Sequence, residues 1–332
     1  MNLKTFFWNQ EENRLRTAWR LCLYILILLG TTMVLGLVSG VLVVIARFIF
    51  SGLMIDPTYT NIYQMVLITL VMIIGTWVTV RWVDRRKFSS LGLQFGRKWW
   101  HDFAFGAFLG SFLMVLIFLT ELAFGWITVE GTLFSHPDYT NFWLAMIVYA
   151  FQFICVGIYE EIFSRGYQLI NLSEGFSFIK DRKTGLLISY LITSSIFGLM
   201  HAINPGATPA SVLNIMAAGL FLGLGMILTG RMGLSIGLHI TWNFFQGNIF
   251  GFPVSGTETG VSLIQITQRG NELLTGGSFG PEGGLISILA ILMGMACIFA
   301  WVKWRDGEIQ LSVLSNLYPT HPPVVSTLEI PE

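Results

Sequence analysis

Residues 142–168 read FWLAMIVYAFQFICVGIYEEIFSRGYQ. The first seventeen residues of this stretch carry no charge, and two adjacent glutamates and an arginine follow soon after them. An uncharged run of this length predicts a membrane-spanning helix, which needs about 20 mostly apolar residues. Charged side chains at bilayer depth are costly and usually mark a function. The stretch therefore predicts a membrane protein with a functional group of charges near the end of one span.

The composition of the whole chain agrees with a membrane location. Of 332 residues, 54% are apolar and 11% are charged, whereas an average soluble domain carries about 25% charged residues. The formal net charge is zero, so no global basic field indicates a nucleic acid partner. The three cysteines lie in apolar runs without metal-ligand spacing, and we expect them to pack as small hydrophobes without disulfides.

Eight apolar runs are long enough to be spans, and they predict an all-α, polytopic membrane protein with about eight transmembrane helices. The first run is too long for the core of a signal peptide. The predicted spans lie near residues 21–46, 62–80, 103–126, 142–170, 185–201, 210–229, 233–250 and 284–302.

The positions of the apolar runs divide the chain into three parts. Residues 1–20 form a cytoplasmic or interfacial N-terminal segment, because aromatic residues there are followed by charges. Residues 21–305 form one eight-span membrane domain. The proline-rich residues 306–332 are expected to be a disordered cytoplasmic tail.

Positive charges predict the orientation, since lysine and arginine collect on cytoplasmic loops. With the N-terminus inside, 17 of the 19 lysines and arginines fall on the cytoplasmic side of the predicted spans. The exceptions are Arg47 and Arg269. Both termini are therefore expected to be cytoplasmic. The lack of a serine- and arginine-rich transit segment favours a bacterial plasma membrane.

Ionisable residues within the spans are the candidate functional residues. Glu161 and Arg165 are four residues apart, so they share a helix face and can form an ion pair. That pair either orients a site or simply ties two helices together. Glu160 points about 100° away from Glu161 and is free to face a different partner.

Two later spans carry histidines in similar patterns. His239 and Asn243 are four residues apart, so the imidazole and the carboxamide project into the same space. Phe197 lies one turn before His201, where its ring can shield that imidazole from lipid. Two histidines, one unpaired carboxylate and one amide thus can converge from three helices.

This set of groups suits the addition of water to a carbonyl. A carboxylate with a histidine beside it can take the proton of a water molecule and later deliver a proton to a leaving amine. A second histidine and an asparagine amide can donate to the oxygen that becomes negative in the tetrahedral intermediate.

The ordered set of motifs also resembles a known family. Glu160-Glu161-xxx-Arg165, Phe197-xxx-His201 and His239-xxx-Asn243 are similar to the motifs of the CPBP or Abi family of intramembrane proteases. This family includes the type II CAAX prenyl endopeptidases and the bacteriocin-processing enzymes. All three motifs are complete, and the resemblance covers roughly residues 142–250.

The resemblance implies a set of roles and a kind of substrate. Glu160 and His201 would activate water, His239 and Asn243 would stabilise the oxyanion, and Glu161, Arg165 and Phe197 would support the site. The site would lie in an intramembrane cavity of a largely helical fold. The partner would be a peptide or protein substrate in or at the lipid bilayer.

Other functions stay open on the residues alone. A zinc enzyme could hold its metal with Glu160, His201 and His239, since two histidines and a glutamate are a known zinc set. No other cofactor is predicted. A non-enzymatic transporter could use the buried charges as a proton or substrate path. A membrane binding or scaffold protein is a further alternative.

Five glycine-containing motifs are expected to have no catalytic role. GLSIG at 233–237 fits the GxSxG pattern of serine hydrolases, but it opens a helix instead of following a strand. GGSFGPEGG at 276–284 is predicted to be an outer loop. GLVSG, GAFLG and GLFLG, at 36–40, 106–110 and 219–223, place glycines four residues apart and predict close helix packing.

Helix lengths impose a condition on the site. At about 1.5 Å per residue, His201 lies about 24 Å along its span from Gly185, whereas His239 lies about 9 Å from Gly233. The two imidazoles can meet if the span at 142–170 continues as helix well past Arg165. The turn TGRMG at 229–233 would then lie deep within the protein.

Overall fold

The computed structural model describes residues 6–10, 12–49, 57–139 and 141–313. Most of the predicted tail, from residue 314 onward, lies outside these ranges. The helices are α1 (Thr17–Ile49), α2 (Pro57–Val78), α3 (Arg97–Ala123), α4 (Phe142–Glu161), α5 (Leu169–Gly175), α6 (Arg182–Met200), α7 (Pro209–Thr229), α8 (Gly233–Phe244), α9 (Glu272–Thr275) and α10 (Leu285–Asp306).

Shorter turns and strands complete the fold. The π-helical turns are Thr79–Val83, Ile162–Gln168 and Phe245–Ile249, and the 3₁₀ turns are Phe88–Leu91, Phe176–Phe178, His201–Ile203, Gly277–Phe279 and Pro281–Gly283. The strands are β1 (Trp8–Asn9), β2 (Arg14–Leu15), β3 (Ile127–Ser135) and β4 (Val261–Gln268).

Seven helices of the described residues are long and apolar enough to cross a membrane, which confirms the prediction of a polytopic helical protein. They are α1, α2 with its π turn, α3, the continuous helix from α4 to Phe178, α6 with its 3₁₀ turn, α7 and α10. The remaining predicted span, 233–250, is the shorter helix α8 of 12 residues and a π turn of 5 residues.

Helix α8 lies inside the bundle, where α3, α4 and α7 pack around it. Nine of its 12 residues are buried. Glycine makes this placement possible, because a Cβ at Gly237 would lie 2.3 Å from the carbonyl oxygen of Phe103 on α3. A short helix surrounded by protein can hold polar side chains away from lipid.

The glycine pairs behave differently in the three predicted packing motifs. A Cβ at Gly106 would lie 2.2 Å from the carbonyl oxygen of Leu234, so GAFLG brings the backbones of α3 and α8 into contact. GLFLG packs against α6 in the same way, with Ser194 and Tyr190 next to its glycines. The glycines of GLVSG face outward, and no atom of the described structure lies within 4 Å of the positions their Cβ atoms would take.

We expect Gly106→Ala to destabilise the protein and Gly36→Ala to leave its stability unchanged. The added methyl group at Gly106 would overlap the backbone of α8, and overpacking of this kind costs about 1–3 kcal/mol. Thermal unfolding of both purified variants in the same detergent measures the difference. Equal melting temperatures for the two variants would contradict the close contact between α3 and α8.

A small two-stranded antiparallel sheet joins two of the connections in this mostly helical fold. Strand β3 follows α3 and pairs with β4, which follows α8, so that Ile127 lies opposite Gln268 and Ser135 lies opposite Val261. Both strands are rich in β-branched residues, which favour extended structure. No strand was predicted from the sequence in either connection.

The N-terminal segment is anchored by a buried ion network. Glu174, at the end of α5, accepts hydrogen bonds from Arg14 at 2.8 Å, Arg20 at 3.0 Å and Arg86 at 2.8 Å. Arg14 is fully buried, whereas Phe6 is exposed. Arg14 and Arg20 of the segment therefore pack inside the protein, whereas Phe6 and Phe7 are exposed.

The structure satisfies the condition set by the helix lengths. The helix that begins at Phe142 continues to Phe178, well past Arg165. The turn before α8 is enclosed, since Met232 is fully buried. Both expectations are confirmed. The end of α6 lies beside the π turn that follows α4, and α8 packs against α4 itself.

Candidate active site

The carboxylates of the site lie where α4 changes its helical geometry. Asn141 begins α4 by accepting a hydrogen bond from the backbone N–H of Leu144 at 3.0 Å. Regular helix ends at Glu161, and a π turn from Ile162 to Gln168 follows. Such π turns insert an extra residue into a helix and are frequent at functional sites.

Glu161 and Arg165 form the ion pair that their spacing predicts. The Nη1 of Arg165 donates to Oε1 of Glu161 at 2.8 Å, and neither side chain is exposed by more than 3%. Arg165 also donates to the carbonyl oxygen of Gly219 on α7 at 3.0 Å. Its guanidinium lies 4.4 Å from the centre of the Phe197 ring on α6. One arginine therefore joins α4, α6 and α7 beneath the site.

His239 lies between the two glutamates. Its Nδ1 is 2.9 Å from Oε1 of Glu161, and its Nε2 is 3.9 Å from Oε2 of Glu160. Because a carboxylate can only accept a hydrogen bond, Nδ1 carries a hydrogen and donates a hydrogen bond to Glu161. The ring orientation is thereby fixed, with Nε2 directed toward the cavity side of α4. Glu161 thus has a second partner besides Arg165, which the sequence analysis did not predict.

His201 follows the last residue of α6. Its Nδ1 lies 2.8 Å from the carbonyl oxygen of Phe197, so Nδ1 donates and the Nε2 of a neutral ring is left as an acceptor. The ring of Phe197 is 4.9 Å from that of His201 and 6.3 Å from that of His239, centre to centre. Phe197 therefore contacts both imidazoles and separates them from the apolar side of α6.

A cavity of about 540 Å³ brings the four predicted catalytic residues together, since Glu160, His201, His239 and Asn243 all line it. The Glu160 side chain is 25% exposed, and that of His239 is 8% exposed. Within the described structure, Glu160 and His201 share this cavity without a direct hydrogen bond between them. Apolar side chains of α2, α4 and α7 form much of the remaining wall.

The donor set does not have the spacing of a metal site. Among the described residues, no three His, Cys, Asp or Glu side chains are grouped closely enough to hold a metal ion. Glu160, His201 and His239 are therefore not arranged as zinc ligands, and Nδ1 of His239 is bound to Glu161.

Ser235 lies on a helix, as its sequence context predicts. It is fully buried, and its hydroxyl donates to the carbonyl oxygen of Leu222 at 2.6 Å. The hydroxyl therefore has a structural partner between α8 and α7. The three cysteines, Cys22, Cys155 and Cys297, have free thiols.

Further polar residues that were not predicted from the sequence line the same cavity, and Asn204, Ser255 and Glu282 are among them. Asn204 comes three residues after His201, so its proximity was a usable signal. Glu282 belongs to GGSFGPEGG, which the sequence analysis placed in an outer loop away from the site. The only local signal was a single acidic residue enclosed by glycine and proline.

Comparison with known proteins supports the same part of the chain. Residues 141–245 match the family model described as type II CAAX prenyl endopeptidase Rce1-like, which confirms the resemblance predicted from the motifs. The uncharacterized protein YyaK of Bacillus subtilis (strain 168) is 24% identical over 275 residues, which cover 77% of this chain and 86% of that protein. No solved structure matches the chain.

The matched segment contains every residue of the three motifs, and Glu282 lies outside it. The match supports a CAAX-type intramembrane protease.

Proposed function

We propose that this chain is an intramembrane endopeptidase that hydrolyses a peptide bond of a membrane-associated or lipidated peptide or protein. One observation carries the proposal. Glu160, His201, His239 and Asn243, from three helices, line one cavity inside a bundle of spanning helices. The match of residues 141–245 to the endopeptidase family adds independent support.

In the proposed reaction, Glu160 is the general base. Its carboxylate lines the cavity beside Nε2 of His239, and its side chain is 25% exposed, which lets it meet water. Glu160 takes a proton from water as the water oxygen bonds to the carbonyl carbon. His201, with its Nε2 free to accept, holds that water beside the carboxylate. When the C–N bond breaks, the protonated Glu160 returns the proton to the leaving amine.

His239 and Asn243 are the proposed oxyanion donors. To donate from Nε2 while Nδ1 remains bound to Glu161, the His239 ring must carry both protons. The neighbouring Glu160 and Glu161 carboxylates balance that positive charge. The amide of Asn243, one turn later on α8, supplies a second donor. Each such donor typically contributes about 2.7–4 kcal/mol to the transition state.

The activity is tested by comparing protein termini in cells. Cells with the wild-type protein and cells with an equally abundant Glu160→Ala variant would be analysed by mass spectrometry of new N- and C-termini. We expect a set of termini on membrane-associated proteins that is present only with the wild type. Identical profiles, under conditions where the wild type has a phenotype, would sink the protease proposal and favour transport or scaffolding.

The zinc alternative is tested on the purified protein. The glutamate mechanism requires full activity without stoichiometric zinc. A protein that loses activity to a chelator and regains it with zinc alone would replace the glutamate mechanism by the metal one.

We also propose a bacterial plasma membrane as the location, with both termini cytoplasmic. The distribution of lysine and arginine supports this orientation. A reporter enzyme that is active only in the cytoplasm should be active when it is fused at residue 1 and when it is fused at residue 332. Activity of a reporter that works only outside the cytoplasm would reverse the proposed orientation.

A further inference from the structure

Glu282 is a buried carboxylate whose hydrogen bonds all lead to the candidate site. Its Oε1 accepts from the indole N–H of Trp242 at 3.2 Å. Its Oε2 accepts from the backbone N–H of Ser255 at 2.9 Å and from the hydroxyl of Ser255 at 2.7 Å. Glu282 is only 8% exposed, and no arginine or lysine of the described residues pairs with it. Three donors therefore hold its charge.

Trp242 connects Glu282 to the proposed oxyanion donors. It directly precedes Asn243 and lies one turn after His239 on α8. It also lines the cavity. Because α8 is a short helix that ends in a π turn, an anchor on Trp242 fixes the rotation of the helix face that carries both donors.

Ser255 connects the same carboxylate to the cavity wall. Residues 254–259 contribute Val254, Ser255, Thr257, Glu258 and Thr259 to the lining. Ser255 has a φ of 47°, a conformation that is unfavourable for a residue with a side chain. Its N–H and hydroxyl are both bound to Glu282, which holds this conformation in place.

The third connection leads to His201. The carbonyl oxygen of Ser255 accepts from the side-chain amide of Asn204 at 2.9 Å, and the backbone N–H of Asn204 bonds the carbonyl oxygen of His201 at 3.1 Å. A continuous chain of hydrogen bonds therefore runs from His201 through Asn204, Ser255 and Glu282 to Trp242. Both halves of the candidate site meet at one carboxylate.

We propose that Glu282 is a positioning residue that sets the spacing between His201 and the His239–Asn243 pair and holds residues 254–259 as the wall of the substrate cavity. This inference rests on the proposed function for its catalytic consequence, although the bridge itself is a structural claim. Glu282 does not touch the reacting atoms. A carboxylate suits the position because it offers two acceptor oxygens, and charged acceptors bind roughly twice as strongly as neutral ones.

The bridge is tested first without any substrate. Hydrogen exchange of the full-length protein in detergent would be followed at peptides that include residues 253–257. Glu282→Met removes the acceptor of the Ser255 amide, so we expect that amide to exchange about tenfold faster or more. The matched control is Glu272→Gln, an exposed acidic residue on α9 in the same connection. Equal exchange in wild type and Glu282→Met would overturn the bridge.

The catalytic consequence is tested with a synthetic peptide that covers a cleavage site lost in the Glu160→Ala cells. Glu282→Met should lower kcat/KM about 10- to 100-fold, since small misplacements of reacting groups have effects of this size. Glu282→Gln keeps one acceptor oxygen for its two partner residues, Trp242 and Ser255, and should have intermediate activity. Glu272→Gln should match the wild type.

Two single-contact variants separate positioning from a general loss of stability. Trp242→Phe removes the indole N–H together with the five-membered ring and should mainly lower kcat, whereas Ser255→Ala removes only the hydroxyl and should mainly raise KM. If both act through Glu282, each should change kcat/KM by less than about twofold in the Glu282→Met background.

The outcomes are distinct for the two proposals. Effects of Trp242→Phe and Ser255→Ala that multiply fully with that of Glu282→Met would overturn the positioning role. A wild-type protein that cleaves no peptide would instead overturn the proposed function, and the exchange experiment would still decide whether the bridge exists.

Discussion

Glu160→Gln is expected to lower peptide hydrolysis by the purified protein about 10²- to 10⁴-fold, the range that a general base contributes. Glutamine keeps the shape of the side chain but cannot take a proton from water. The measurement is the single-turnover rate of a peptide with a known cleavage site, at saturating enzyme. That rate isolates the chemical step from substrate binding and product release.

The fold should tolerate this change. Glu160 makes no hydrogen bond within the described residues, and Nε2 of His239 lies 3.9 Å from its Oε2. The melting temperature of Glu160→Gln should therefore match that of the wild type, and Glu272→Gln serves as the activity control. Retention of more than a tenth of the wild-type rate would remove Glu160 from the role of base and direct attention to the histidines.

The residues of the proposed site could be predicted from the sequence because the patterns that mark them are local. Helical spacing of four residues pairs Glu161 with Arg165, and places His239 and Asn243 on one face, whatever the rest of the chain does. The insertion cost of ionisable groups distinguishes these few residues from the apolar remainder. Helical periodicity and the free energy of inserting an ionisable side chain into the bilayer are properties of short segments. Both can therefore be evaluated before any tertiary structure is known.

The contacts that the sequence could not predict are those between distant segments. Glu161 meets His239 across 78 positions of the chain, and Glu282 meets Trp242 across 40 positions. Strands β3 and β4 pair only because α3 and α8 pack side by side and end near each other. No spacing rule within one helix or loop specifies such a pairing. These contacts between distant segments follow from the order and lengths of the helices in three dimensions.

Breaking the pair between Glu161 and Arg165 should have the largest effect on stability of any change considered for the site. Both side chains are buried, at 0% and 3% exposure. Glu161→Leu leaves the arginine without its carboxylate, and Arg165→Leu leaves the glutamate without its arginine, with His239 as its remaining hydrogen-bond partner. Removing one partner of a buried ion pair costs about 3–5 kcal/mol. Thermal unfolding in detergent should show a large loss of stability for each single variant.

The double variant with both leucines separates stability from catalysis. Replacing a buried ion pair by apolar residues of similar volume is often neutral for stability, so the double variant should be more stable than either single variant. Its activity should nevertheless stay about 10²- to 10⁴-fold below the wild type, the range for losing a carboxylate that orients a histidine. His239 would have lost the acceptor of its Nδ1 proton.

Glu161→Gln provides the decisive comparison. Its amide oxygen can still accept from Nδ1 of His239, although its charge no longer balances Arg165. If Glu161 orients the imidazole, Glu161→Gln should keep more activity than the double variant even where it is less stable. If activity instead follows stability across all four variants, the contact between Glu161 and His239 serves packing alone. His239 would then owe its orientation to the enclosure of α8 by its neighbouring helices.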